Sequence, residues 1–261
     1  MIFPKIHVMF CHYFKEASQL LSIIYQDKYM VVVHKPSGLL VHRSAIDKYE
    51  TEFLVQQLRD QIGQQVFVVH RLDKPTSGLM VLALDKDSAR ALSTSFAERE
   101  IYKEYIAIVR GYTTSQIIDY ALKEQLDKMT DAKANPNKEA QEAMSEVLLL
   151  ATAELDIPAG RYDSARFSAV KLIPKTGRKH QLRRHMAHIS HPILGDTTHG
   201  DGKQNKFART HLQLNRLALL ASKLGVPHPF SNERMTFTTQ IDEDMKPAFS
   251  IFETSLILTD D

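Results

Sequence analysis

Apolar positions along this chain fall into two spacings. Residues 23–25 and 30–34 are short β-branched runs separated by Gln26-Asp27-Lys28, which predicts a hairpin. Lys35-Pro36-Ser37-Gly38 then ends the second strand. Residues 66–69 and 79–84 predict two further strands, joined by His70-Arg71-Leu72-Asp73-Lys74-Pro75-Thr76-Ser77-Gly78. Residues 101–109 predict a longer strand ending at Gly111, with Lys103, Tyr105, Ala107 and Val109 on one face. Residues 167–173 predict another, turned by Pro174-Lys175-Thr176-Gly177.

Helical spacing appears between these runs. Leu54, Leu58 and Ile62 predict a helix over 52–62, with Thr51 as N-cap and Gly63 as its stop. A second helix starts at Asp85 or Asp87 and ends near Arg99, and a third starts at Lys179. Residues 214–224 fit two patterns: their composition favours helix, yet Leu217, Leu219 and Ala221 alternate. Residues 127–146 are polar and are expected to form a mobile insertion. Residues 197–209, with Lys203, Lys206 and Arg209, are expected to form a mobile loop. Hairpins with interspersed helices point to an α+β fold.

Composition adds limits. At 43% hydrophobic and 25% charged residues over 261 positions, the chain is an ordinary globular sequence with material for a sizeable core. The one cysteine, Cys11, excludes an intrachain disulfide and a Cys-rich zinc module. No stretch is long and apolar enough to span a bilayer. The apolar first ten residues are broken by Pro4, Lys5 and His7, so a cytoplasmic protein is expected.

Net charge is only +2, but its distribution is uneven. From Ser164 to Gly195 there is no Asp or Glu, while Arg166, Lys171, Lys175, Arg178, Lys179, Arg183 and Arg184 all lie there. That local positive field suggests a polyanion site, with a solvated basic face as the alternative.

Asp73 is the leading candidate for chemistry. A carboxylate on a stiff loop between two apolar strands can act as nucleophile or base, and His70, Arg71 and Lys74 surround it in sequence. The same pattern also fits an Asx-type turn that caps its own loop. His180, His185, His188 and His191 raise the thought of a metal. No His-Glu-x-x-His exists, and the neighbouring cations would oppose a dication, so no metal is expected. Neither a Gly-x-Gly-x-x-Gly nor a Walker loop is present, so no nucleotide cofactor is expected.

His70-Arg71-Leu72-Asp73 followed by Thr76-Ser77-Gly78-Leu79 resembles the catalytic motif of the RluA-type pseudouridine synthases. Lys35-Pro36-Ser37-Gly38, Lys103-x-Tyr105-x-Ala107-x-Val109-x-Gly111 and Thr176-Gly177-Arg178-x-His180-Gln181-Leu182-Arg183-x-His185 resemble further family motifs. His191-Pro192-Ile193-Leu194-Gly195-Asp196 and His228-Pro229 complete the set, in the family's order.

The resemblance implies a mixed, mostly antiparallel β-sheet flanked by helices, with a central RNA-binding cleft. It implies residues 1–20 as an extension and 21–261 as one catalytic domain without a separate N-terminal RNA-binding domain. It makes Asp73 the catalytic aspartate, Tyr105 the tyrosine that packs on the target base and serves as a candidate base, and Arg183 the basic partner of the aspartate. Arg71 would fill the gap left by the flipped nucleotide, and Lys103, Leu182, Arg178 and His180 would line the substrate site. Two positions depart from the family: Leu220 stands where His is usual, and His199 where Tyr is common.

The implied activity is isomerisation of one uridine in RNA, without cofactor; the sequence carries no exposed coiled-coil pattern, so a monomer is expected. A closer likeness through residues 41–44, 62–67 and 179–185 favours tRNA, at uridine 65 on the T-arm side. A ribosomal RNA substrate, a catalytically silent RNA-binding module and a His-dependent metal hydrolase are the alternatives. Loss of product on Asp73→Asn, and indifference to a chelator, separate an isomerase of either RNA from the silent module and the hydrolase.

Overall fold

The computed structural model describes residues 20–43, 50–124, 139–160 and 162–252. In chain order the strands are β1 (Ser22–Gln26), β2 (Met30–Lys35), β3 (Phe67–Val68), β4 (Ser77–Ala83), β5 (Tyr102–Arg110), β6 (Gln116–Asp119), β7 (Met144–Leu155), β8 (Ala165–Pro174), β9 (Leu219–Pro227) and β10 (Arg234–Thr238). The helices are α1 (Leu54–Ile62), α2 (Lys86–Ala97), α3 (Gln181–His188), α4 (Gly202–His211) and the short α5 (Lys246–Phe249).

β2 and β4 are apolar at successive positions, so both of their faces must be covered. Met30, Val32, Leu79, Val81 and Ala83 pack beneath Leu92 of α2. Val31, Val33, Met80 and Leu82 point the other way and pack with Leu54 and Leu58 of α1. The third and largest core lies between β5, β7, β8 and β9 and the helices α3, α4 and α5.

The sheet runs β1-β2-β4-β9-β5-β8-β7-β6, with β10 on β9 and β3 on β4. All its pairings are antiparallel except β4 with β9, where Ser77 pairs with Leu220 and Gly78 with Ala221. Gly78 is required there. Its φ is +110°, and a Cβ would overlap the Ala221 backbone. This mid-sheet crossover lies directly after the Asp73 loop.

Several expectations need correction. Thr51 is not the cap of α1. Phe53 takes that position without a side-chain bond, and the first free N–H groups, of Leu54 and Val55, donate to the carbonyls of Leu40 and Val41. Residues 219–224 are strand, because β9 must pair with β4, β5 and β10. Residues 202–209 are helix rather than loop: Asp201 caps α4 by accepting from Lys203 N at 2.9 Å, and Phe207 and Ala208 are buried. The expected insertion at 127–146 ends inside β7, while its residues up to 138 lie outside the described residues, as do residues 1–19 of the N-terminal extension.

Candidate active site

The Asp73 loop is tied down from beneath. Lys35 is fully buried, and its ammonium donates to the carbonyls of Pro36 at 3.0 Å, Leu39 at 2.8 Å and Lys74 at 3.1 Å. Burial, reinforced by the Arg216 charge, pushes this ammonium down to about 7. Ser37 Oγ donates to the Pro75 carbonyl at 2.8 Å, and Gly38 N to the Lys74 carbonyl at 2.9 Å. The Lys35-Pro36-Ser37-Gly38 turn is therefore the clamp of the aspartate loop. The loop's own turn closes through the backbone, Thr76 N to the Asp73 carbonyl at 3.1 Å. That leaves the Asp73 carboxylate out of the turn, contrary to the Asx reading, with 26% of its side chain exposed.

Charge reaches Asp73 from far along the chain. Arg183 on α3 donates to Asp73 Oδ2 at 3.2 Å. The same guanidinium grips Asp196 through two bonds of 2.8 Å, and it is only 4% exposed. Asp196 also accepts from the backbone N–H groups of Thr198 and His199, both at 2.9 Å. Burial opposes its ionisation, but Arg183 and these backbone donors outweigh burial and hold its carboxyl down to about 2.

The sequence neighbours contribute less. Lys74 pairs with Glu50 at 2.6 Å. His70 stacks on Phe96 at 4.5 Å, and its Nε2 accepts from Val81 N at 3.1 Å. Burial, then the nearby Lys103, pushes His70 down to about 3, so it stays neutral. Arg71 stands exposed on the rim.

A cavity of about 950 Å³ opens in front of Asp73. All eight site residues expected from sequence line it: Arg71, Asp73, Lys103, Tyr105, Arg178, His180, Leu182 and Arg183. Tyr105 comes from β5, and Leu182 is buried at the start of α3. Burial, then the charge of Asp73, raises the Tyr105 phenol well above its ordinary value. In the free enzyme the phenol therefore holds its proton near neutrality. Burial also pushes the Lys103 ammonium down. Arg178 is committed by its Nε to the Glu142 carbonyl at 2.9 Å. His180 Nε2 lies 3.8 Å from Asp73 Oδ2. A second cleft, of about 1270 Å³, lies behind the ridge formed by Arg71, Asp73, His180 and Arg183, with Lys123, Lys179 and Arg184 in its wall.

The remaining histidines of the basic segment are engaged in packing. His185 is buried between Ser145 Oγ at 3.0 Å and the Tyr120 carbonyl at 3.1 Å. His188 stacks on Tyr120 at 3.6 Å, and His191 Nδ1 is 2.8 Å from the Arg110 carbonyl. Leu220 is fully buried in β9, while His199 Nε2 is 3.0 Å from His180 Nδ1.

Sequence reasoning missed three parts of the site. Asp196 was visible only as the end of a motif, and Lys35 only as a strand terminator at the start of another, neither with a role. The cluster in which Ser77 bonds to Asp242 and Arg216, with His34 2.7 Å from Asp242, joins residues too far apart in sequence to signal each other.

The sequence pattern of the family described as RNA pseudouridylate synthase matches residues 29–188. The chain is 51% identical over 234 residues to tRNA pseudouridine synthase C of Vibrio parahaemolyticus, covering 89% of this chain and 95% of that one. It is 48% identical over 234 residues to tRNA pseudouridine synthase C of Haemophilus influenzae, covering 89% and 98%. Among solved structures, human RNA Pseudouridylate Synthase Domain Containing 4 superposes with a TM-score of 0.67 at 27% identity, covering 89% of this chain and 93% of that one.

Proposed function

Because the chain belongs to the RNA pseudouridylate synthase family, we propose that it isomerises one uridine of tRNA, at position 65, with Asp73 as the catalytic carboxylate. The isomerisation breaks N1–C1′ and joins C5 to C1′. The C5 hydrogen leaves as a proton and N1 gains one, so the reaction needs neither a redox partner nor hydrolytic water.

The uridine must leave its stack to bring its glycosidic bond to the carboxylate. The cavity in front of Asp73 is the place for the extruded nucleotide. Tyr105 and Leu182 give the uracil its walls, and Lys103 and Arg178 give its edge and phosphate polar partners. Arg71 on the rim occupies the space the nucleotide vacates. Arg183 holds the carboxylate in place. Tyr105, keeping its proton, serves as a stacking surface and hydrogen-bond donor.

The acid-free basic segment of β8 and α3 supplies the field for the RNA backbone. We place the activity in the cytoplasm, in a single chain whose catalytic unit begins at residue 21. Among the described residues, no helix is long and apolar enough to cross a membrane.

The observation that carries this reading is Asp73 itself: a carboxylate on a loop clamped by Lys35, gripped by Arg183, and open to a cavity walled by Tyr105. The test is tritium release from tRNA transcribed with 5-³H-uridine, in EDTA. The C5 hydrogen must be expelled when the new bond forms. Wild type is expected to release about one tritium per tRNA and Asp73→Asn none, while both bind tRNA equally. No release from tRNA or ribosomal RNA by wild type would sink the catalytic reading. Release from ribosomal RNA alone would overturn the tRNA assignment.

A further inference from the structure

Around Asp73 a chain of polar contacts runs from one side of the carboxylate almost back to it. Arg183 donates to Asp73 Oδ2 at 3.2 Å and to Asp196 through two bonds of 2.8 Å. Asp196 Oδ1 accepts the backbone N–H of His199 at 2.9 Å. His199 Nε2 lies 3.0 Å from His180 Nδ1, and His180 Nε2 lies 3.8 Å from Asp73 Oδ2. Both contacts to the aspartate fall on Oδ2. Oδ1 has no hydrogen bond among the described residues.

His180 is built for this place. It sits at the cap of α3 with φ +54°, a left-handed conformation uncommon for a side-chain-bearing residue, and makes no capping bond to its own helix. Its ring is instead set edge-on to His199, at 5.2 Å and 74°, and stands between the two clefts.

We propose that His180, held by His199, is a positioning residue that clamps Asp73 Oδ2 opposite Arg183 and leaves Oδ1 as the oxygen presented to the substrate. The inference rests on Asp73 being the catalytic carboxylate. Arg183 commits two donors to Asp196 and makes a single bond to Asp73, so one tether alone would let the carboxylate turn about its Cβ–Cγ bond. A second donor on the same oxygen fixes that rotation. Burial pushes His180 down to about 4, so near neutrality it is an uncharged donor and adds no second full charge to the ion pair. His199 sets the tautomer: when its Nε2 donates to His180 Nδ1, the His180 proton is on Nε2, facing Asp73. At 3.8 Å the two atoms are not yet hydrogen-bonded, so the clamp requires the ring and the carboxylate to draw together when substrate binds.

The experiment compares His180→Ala, His180→Gln, His199→Phe and the His180→Ala/His199→Phe double variant with wild type and Asp73→Ala. Single-turnover tritium release from 5-³H-uridine tRNA and the tRNA Kd are measured for each. His180→Ala and His199→Phe are each expected to slow turnover about 10- to 100-fold with the Kd changed by less than about twofold. The double variant should be no slower than His180→Ala, because the two rings act as one unit. His180→Gln, which returns an N–H donor, should recover most of the rate. Full turnover in His199→Phe, additive losses in the double variant, no recovery by Gln, or a loss carried entirely by Kd would overturn the proposal. Active wild type and inactive Asp73→Ala beside fully active histidine variants would reject the clamp alone. Absence of turnover in wild type would reject the underlying reading instead.

Discussion

Arg183 is a charge buried almost completely, and that fact decides what its neighbours can tolerate. Asp196 takes both of its strong bonds, and Asp73 receives what is left. Removing the Asp196 charge leaves a nearly buried guanidinium underpaired, with only its edge on the clefts. Asp196→Asn is therefore expected to cost about 3 kcal/mol of stability, read from urea unfolding, and to lower turnover because Arg183 relaxes away from Asp73. An unchanged midpoint would show that the pair is not needed for the fold. Arg183→Lys should also fail to restore activity, since one ammonium cannot grip Asp196 with two donors while reaching Asp73. At this scale the sequence was informative about residue types: Asp73, Tyr105 and Arg183 stand out through their motif. It pointed to basic partners for Asp73 but not to the surroundings of Tyr105, whose burial beside Asp73 raises the phenol further above its ordinary value.

Elements place these residues through a few backbone decisions. The parallel step between β4 and β9 brings the Asp73 loop to the middle of the sheet, and Gly78 makes the step possible. Gly78→Ala puts a methyl group into the Ala221 backbone at a positive φ. It is expected to destabilise the protein by about 3 kcal/mol or more, as measured by thermal unfolding, with loss of turnover in parallel. A fully stable, active variant would mean that the strands can part there without consequence. Local patterns found β1, β2, β3, β4, β5 and β8 because alternation and turn residues are local signals. They left β9 undecided and missed β6, β7, β10 and α4. A strand between partners is chosen by those partners, whereas the Asp201 cap and the burial of Phe207 need the rest of the fold to make the helix worthwhile.

The whole molecule should show its buried groups in its response to pH. His70 is held near 3, below its ordinary 6.5, so the unfolded chain takes a proton first and stability falls as pH drops from about 6.5 toward 3. Asp196 and Asp242 are each held near 2, below 3.8, so the stability they supply is present above 3.8 and is lost as pH falls through 2. Lys35 works on the other side. Its value near 7 lies below 10.5, so the unfolded chain binds more protons between those limits and stability from this group rises with pH across that interval. Unfolding midpoints measured from pH 3 to 9 are expected to climb steeply on the acid side. The climb above pH 7 should be shallower in Lys35→Met than in wild type. An identical alkaline slope in the two proteins would remove Lys35 from this account.

The sequence by itself determined the hairpins, the two-faced apolar strands, the basic segment and the motif residues, because each is carried by neighbours a few positions apart. Tertiary structure alone decided how those parts work together. It brought Arg183 to Asp73 across 110 positions, set Asp196 behind Arg183, turned Lys35 from a strand end into the clamp under the loop, and placed His180, 3.0 Å from His199, within 3.8 Å of the carboxylate. Burial and charge act through distance in space, and distance in space is fixed only when the sheet has formed.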